Sequence, residues 1–286
     1  MSLLRCGLLY VLVLCQSFAA KDVWYRGGFA FLQQSADVEV IVLDAASDAS
    51  EVLPNYTSGM VDVSGPLGAG ARFLASNGAK FAFEGPGKFS VERFEERYSN
   101  DRSESDAKFL QTHMILGFQA GTLMVDSRSL NQDSLIVVET PVGRVSMTSA
   151  LWMIEIKYHS RNQAYNVEIE CFDGDLRLSD TRGAVYALSA GRRLSGVGAA
   201  ASITLEITEG TEGFQERITA FESVEDVYSA ADLERQLFRL RSLADASTRA
   251  SEGEWLSNDS PPVIIEYAPA RRYTTPFRGE IKPLSG

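Results

Sequence analysis

Between residues 38 and 207 apolar side chains recur at every second position. A period of two sends successive side chains to opposite faces of an extended chain, so it specifies strands and rules out amphipathic helices over the same residues. Phe81, Phe83, Phe89 and Val91 share one parity, as do Val145 with Met147, and Trp152 with Ile154 and Ile156. Runs at 38–43, 135–138, 165–172, 185–188 and 203–207, with Leu176 and Leu178, complete the set. Turn chemistry separates them. "GPLGAG" at 65–70, "EGPG" at 84–87 and "SDTRG" at 179–183 predict turns, and Asp173-Gly174 predicts a two-residue hairpin. Thr140 and Pro141 interrupt a strand, where Pro is tolerated at an edge or bend, and Gly143 permits the turn. Strands spaced by about 8–12 residues imply an all-β fold, a sandwich, barrel or β-solenoid. The absence of a strict fixed-length repeat leaves a regular solenoid without support.

The period changes near residue 215. Val224, Val227, Tyr228, Ala231, Leu233, Leu237, Leu240 and Ala244 fit an amphipathic helix over 216–246. Ser223 followed by Glu225 and Asp226 suits a helix start, because acidic groups favour the positive N-terminal end. This helix is expected to cover one face or end of the β unit. The tail 247–286 is punctuated by Pro261, Pro262, Pro269, Pro276 and Pro283 into extended pieces, with one short apolar run at 263–267. Arg271, Arg272, Arg278 and Lys282 make it locally basic. The charged stretch 97–108 is expected to be an exposed loop.

The first residues read as a targeting segment. Arg5 supplies a positive start, 8–14 an apolar stretch, and Ser17-Phe18-Ala19 the small residues of a cleavage site. The expectation is a signal peptide over 1–19, with a retained anchor as the alternative, because the apolar stretch is shorter than the roughly 20 residues that span a bilayer. No later run reaches that length, so the mature chain is expected to carry no transmembrane segment and to work outside the cytoplasm, in the periplasm or secreted. Net charge is −11. That excludes passive binding to nucleic acid or an anionic membrane, since both demand a positive field. Cys6 and Cys15 leave with the signal, so Cys171 remains alone, unable to form an intrachain disulfide and expected to be a buried, inert thiol.

Little in the chain points to catalysis. His113 and His159 are the only imidazoles. There is no G-x-S-x-G, H-E-x-x-H or P-loop, and one mature Cys with two His cannot build a Cys-rich zinc site. Asp173 and Asp175 flank Gly174 as hairpin residues rather than as a catalytic pair. No catalytic, cofactor-binding or metal-binding residue is therefore assigned, no cofactor is expected, and the chain is read as a non-enzyme. A glycan- or wall-binding module is the alternative, with Trp24, Tyr25, Tyr56, Tyr158, Trp255 and Tyr273 as its aromatic candidates. It calls for an aligned aromatic row on one sheet face. A carbohydrate-active enzyme is the third reading, and it calls for a groove holding two carboxylates, at least one with a raised pKa.

Several motifs occur in a telling order: "GAKFAFEGPGKFSVERF" at 78–94, "GTLMV" at 121–125, "VETPVGRV" at 138–145, "LWMIEI" at 151–156, "CFDGDLRL" at 171–178 and "LSAGRRL" at 188–194. Together they resemble the FecR-like domain, best over 78–196 within a β domain of 20–215. The resemblance implies an all-β, sandwich or solenoid-like extracytoplasmic module that binds rather than catalyses. It departs from the family pattern at Thr148-Ser149-Ala150, where an Arg-Gly-Thr turn is usual. The family's best-known members also carry a cytoplasmic sigma-regulating segment and a membrane span before this domain, so that role is not carried over. The expected partner is a cell-envelope protein, with a polysaccharide as the alternative ligand.

Overall fold

The computed structural model describes residues 23–42, 56–58, 61–99 and 108–210, with Glu216, Ile218 and Thr219. The expected signal segment, nearly all of the expected helix 216–246 and the tail 247–286 lie outside the described residues, as do 100–107 of the charged stretch. The start of that stretch is not an exposed loop: Arg97 and the buried Tyr98 end the strand Lys80–Tyr98, paired on both sides. Apart from the helical Glu216, Ile218 and Thr219, the described chain is strands and their connections, so the fold is all-β.

The strands run in chain order: β1 (Val23–Arg26), β2 (Gly28–Gln34), β3 (Glu39–Val42), β4 (Tyr56–Ser58), β5 (Val61–Gly65), β6 (Gly70–Ala75), β7 (Lys80–Tyr98), β8 (Phe109–Asp126), β9 (Leu135–Thr140), β10 (Gly143–His159), β11 (Ala164–Asp180), β12 (Val185–Ser189), β13 (Arg192–Gly198) and β14 (Thr204–Glu209). Four of them, β7, β8, β10 and β11, have 17 to 19 residues. Strands usually run five or six residues.

Pairing explains their length. Each long strand keeps one partner throughout and changes the other part-way. β7 lies against β8 from end to end, while its other edge passes from β6 (80–84) to β5 (87–91) and then β1 (95–98). β8 passes from a parallel pairing with β9 (113–117) to an antiparallel one with β10 (121–126). β11 stays with β10 and passes from β13 (165–171) to β12 (175–179). Two sheets result, and the long strands belong to both. The first runs β4-β2-β6-β7-β8-β10-β11-β13-β14, and the second β3-β5-β7-β8-β9-β10-β11-β12, with β1 beside β7. Their inner faces pack together as a sandwich. Phe73 of the first sheet stacks on Phe89 of the second at 5.1 Å between ring centroids, and Phe29 meets Phe94 at 5.2 Å. The same core takes in Trp152, Ile154, Val145 and Leu178, as their parity requires.

Two expected turns are corrected by this arrangement. Glu84–Gly87 and Asp173-Gly174 do not reverse the chain; they are bends inside β7 and β11 where each strand leaves one sheet for the other. The register against β8 slips between Glu84 and Lys88, and Gly174 sits at φ 83° opposite Ala150. A bend and a reversal both use glycine's freedom at positive φ, so the local signal is the same. The other turns stand. Pro141 and Val142 join β9 to β10, with the Thr140 hydroxyl donating to the Gly143 carbonyl at 2.7 Å. Residues 181–184 join β11 to β12.

The β11–β12 turn is held by a buried carboxylate. Asp180 accepts from the Arg182 and Ala184 backbone N–H groups at 2.9 Å each, and from the Arg182 guanidinium at 3.2 and 3.3 Å. Burial alone would raise the Asp180 pKa. The Ala184 and Arg182 N–H groups and the Arg182 charge outweigh it and hold the carboxyl below the ordinary range. A pKa depressed by folding gives stability that is complete above the unfolded value, near 3.9, and is lost as pH falls through the folded one. Asp180→Asn is therefore expected to cost about 1–3 kcal/mol at pH 7, and the gap from wild type to narrow below about pH 4. Urea melts at pH 7 and pH 3 check this; a gap unchanged between them would contradict it.

Cys171 faces the core of the first sheet, fully buried. Burial, with Asp175 and Asp173 nearby, pushes its thiol up to about 12. The folded protein is expected to resist a thiol reagent at pH 8 and to react fully once unfolded in guanidinium. Rapid labelling of the native chain would refute this.

Candidate functional site

Two surface features stand out, one on the outer face of each sheet. On the second sheet, register places Trp24 of β1 beside Arg97 of β7, and Arg97 beside Gln111 of β8. One row along, Arg26, Glu95, His113 and Leu135 lie side by side on β1, β7, β8 and β9. Trp24 keeps 40% of its surface exposed, and Leu135 is exposed as well. The indole is not adrift. Its ring centroid lies 5.2 Å from that of His113, and the Arg97 guanidinium carbon sits 5.8 Å from it. His113 is itself positioned by Gln111, whose amide nitrogen lies 2.7 Å from the imidazole Nε2. Burial, then Arg93 and Arg97, lower the His113 pKa against the opposing pull of Glu95. The lowered pKa favours the neutral ring, and beside it Arg93 pairs with Glu95 at 2.5 Å.

A cleft of about 1140 Å³ opens on the first sheet, beside the bend in β7. Its polar walls include Gln33, Arg72, Glu84, Glu155, Lys157 and His159, with Tyr158 at its rim. Glu84 and Glu155 stand on either side of Thr122 across β7, β8 and β10. Their backbones are two strand spacings apart, roughly 10 Å. The Thr122 hydroxyl lies 3.5 Å from the Glu155 carboxylate. Tyr158 packs on Tyr165 with ring centroids 4.9 Å apart. Within the cleft Glu155 is paired with Lys157 at 3.1 Å, and Tyr158 lies at the opposite parity of β10 to Glu155, Lys157 and His159.

The residues singled out from the sequence do not come together. Trp24 and Tyr158 lie on different sheets, and Tyr25 is buried edge-on against Tyr98 at 5.7 Å. Tyr56 lies on β4, paired with Ala30 of β2. Trp24, Tyr25 and Tyr158 thus make no aligned row. Trp255 and Tyr273 lie outside the described residues. His113 belongs to the Trp24 platform and His159 to the cleft wall. Asp173 and Asp175 sit at the β11 bend, with Asp173 3.8 Å from Arg128. Among the described residues no three His, Cys, Asp or Glu side chains are grouped to hold a metal ion. No helix among them is long and apolar enough to cross a membrane.

Sequence reasoning missed both the cleft and the buried polar lattice behind the Trp24 platform. Glu96 is fully buried and accepts a 2.5 Å hydrogen bond from the Ser76 hydroxyl. Asn77 donates to the Thr112 hydroxyl at 3.2 Å, which donates in turn to the Glu95 carbonyl at 3.0 Å. These bonds tie the β6–β7 turn to β7 and β8 under the platform.

No family model matches the chain, so the FecR-like resemblance rests on its motifs, and no curated protein matches it. Among solved structures the chain is similar to two crystal structures of a candidate anti-sigma factor from Parabacteroides distasonis. The TM-scores are 0.38 and 0.37, each at 10% sequence identity, covering 58% and 57% of this chain. The match spans 65% and 64% of those chains, just under two thirds of their length.

Proposed function

We propose that this protein is a non-catalytic, extracytoplasmic binding or signalling-accessory protein of FecR-like type, acting through protein contacts in the cell envelope. The observation that carries this reading is the Trp24 platform. Tryptophan and arginine dominate the energetics of protein interfaces, and a half-exposed indole held by a cation and a ring is already ordered for contact. The FecR-like motif order supports a binding module, and the targeting segment supports the compartment. The partner's complementary surface would carry an apolar pocket for the indole.

A glycan- or wall-binding module is the second reading, favoured by the cleft with its carboxylates, amides and Tyr158. The two are separated by a crosslinked pull-down of the tagged chain, residues 20–286, from envelope extract. Capture of one protein, lost with Trp24→Ala while the melting temperature holds within a few degrees, supports the protein-contact reading. The expected loss is about 2 kcal/mol or more, roughly thirtyfold in Kd. Recovery of wall polysaccharide with no protein enriched, insensitive to Trp24→Ala, would replace it with the second.

A further inference from the structure

The outer face of a sheet in a two-sheet sandwich normally meets water and is polar. Part of the first sheet departs from this. Ala82, Met124 and Met153 are register neighbours on β7, β8 and β10, at the parity opposite to the core residues Phe81, Leu123 and Trp152. Leu151 shares their face, and Phe172 on β11 packs against them. These outward side chains form an apolar cluster of their own, separate from the sandwich core. Yet Ala82, Met124, Leu151 and Met153 are all buried.

Something therefore covers the patch, and one described residue does: Ile218, itself 1% exposed and helical with its neighbours Glu216 and Thr219. One isoleucine is not enough. The patch crosses four strands, three spacings of about 4.8 Å, or roughly 14 Å. A side chain of that size reaches about one spacing. The sequence that continues from Thr219 carries apolar residues at helical spacing. Phe221, Val224 and Tyr228 follow Ile218 at steps of three, three and four, the stripe of an amphipathic helix. As a helix, 219–228 extends about 15 Å, matching the span.

We propose that the outer face of the first sheet is a docking surface for this chain's own segment 216–228, which lies on it as a helix with Phe221, Val224 and Tyr228 extending the cover begun by Ile218. Ala82 belongs both to the patch and to the cleft lining, so the docked segment also borders the cleft.

Photocrosslinking of the full chain tests this. p-Benzoylphenylalanine is placed at 221, at 224, or at 223 on the opposite side of the helix, and crosslinked peptides are read by mass spectrometry from the monomer fraction. Positions 221 and 224 are expected to label peptides containing Met124, Leu151 or Met153 of the same chain, at least tenfold more than position 223. Labelling of other surfaces, equal labelling from 223, or no intrachain crosslink would overturn the proposal. Crosslinks to that patch only between two copies would overturn it as well and assign the patch to a dimer contact.

Discussion

Replacing Gly174 by alanine is expected to destabilise the protein by about 2–5 kcal/mol. Gly174 sits where β11 leaves the first sheet for the second, at φ 83°. A Cβ there would lie 2.3 Å from the Ser149 carbonyl oxygen and 3.0 Å from the Ala150 Cα. Both obstacles are backbone of the strand that β11 follows throughout, so neither can turn aside. Left-handed geometry costs an L-residue roughly 1–2 kcal/mol, and forced overpacking adds about 1–3 kcal/mol. Gly183 is the matched control. Its φ is 85°, but nothing lies within 4 Å of the added Cβ. Gly183→Ala should therefore cost only the first of these, about 1 kcal/mol. In melting temperature the contrast is several degrees or more against a few. Equal losses would mean that the bend is not the tight crossing described.

Trp152→Ala is the second large effect, about 3–5 kcal/mol. Trp152 is fully buried at the centre of β10, between Val125 of β8 and Cys171 of β11, facing the other sheet. Removing it opens a void where the two inner faces meet. Trp152→Phe should cost far less, under about 2 kcal/mol. The indole Nε1 has no hydrogen-bond partner among the described residues, so phenylalanine gives up no bond and keeps most of the apolar volume. Denaturant melts of both variants measure the ratio. A phenylalanine variant as unstable as the alanine one would show that the indole is doing something other than filling space.

Much of the fold was legible because parity is a strong signal. Phe81, Phe83, Phe89 and Val91 all reach the core, although a bend lies between the second and third of them. That bend was not legible. A glycine dipeptide looks the same locally whether the chain reverses or only leaves one sheet for another. The outcome is decided by whether the flanking strand still has a partner, and β8 and β10 supply one that no local window contains. The apolar outer patch did leave a trace. In "LWMIEI" four consecutive residues are buried, the mark of a strand covered on both faces. The cleft left none, because its walls come from β2, the β5–β6 turn, β6, β7, β8 and β10. Trp24 was visible only as one aromatic among several; its exposure depends on the pairing of β1 with the far end of β7.

The most direct test of the binding account is hydrogen–deuterium exchange of the chain alone and with its captured envelope partner. Slowed exchange confined to 23–26, 95–99 and 109–115, the strands that carry the Trp24 platform, is the expected result. Slowed exchange at 65–70, 84–87 and 155–159, with the platform unchanged, would place binding at the cleft and contradict the account.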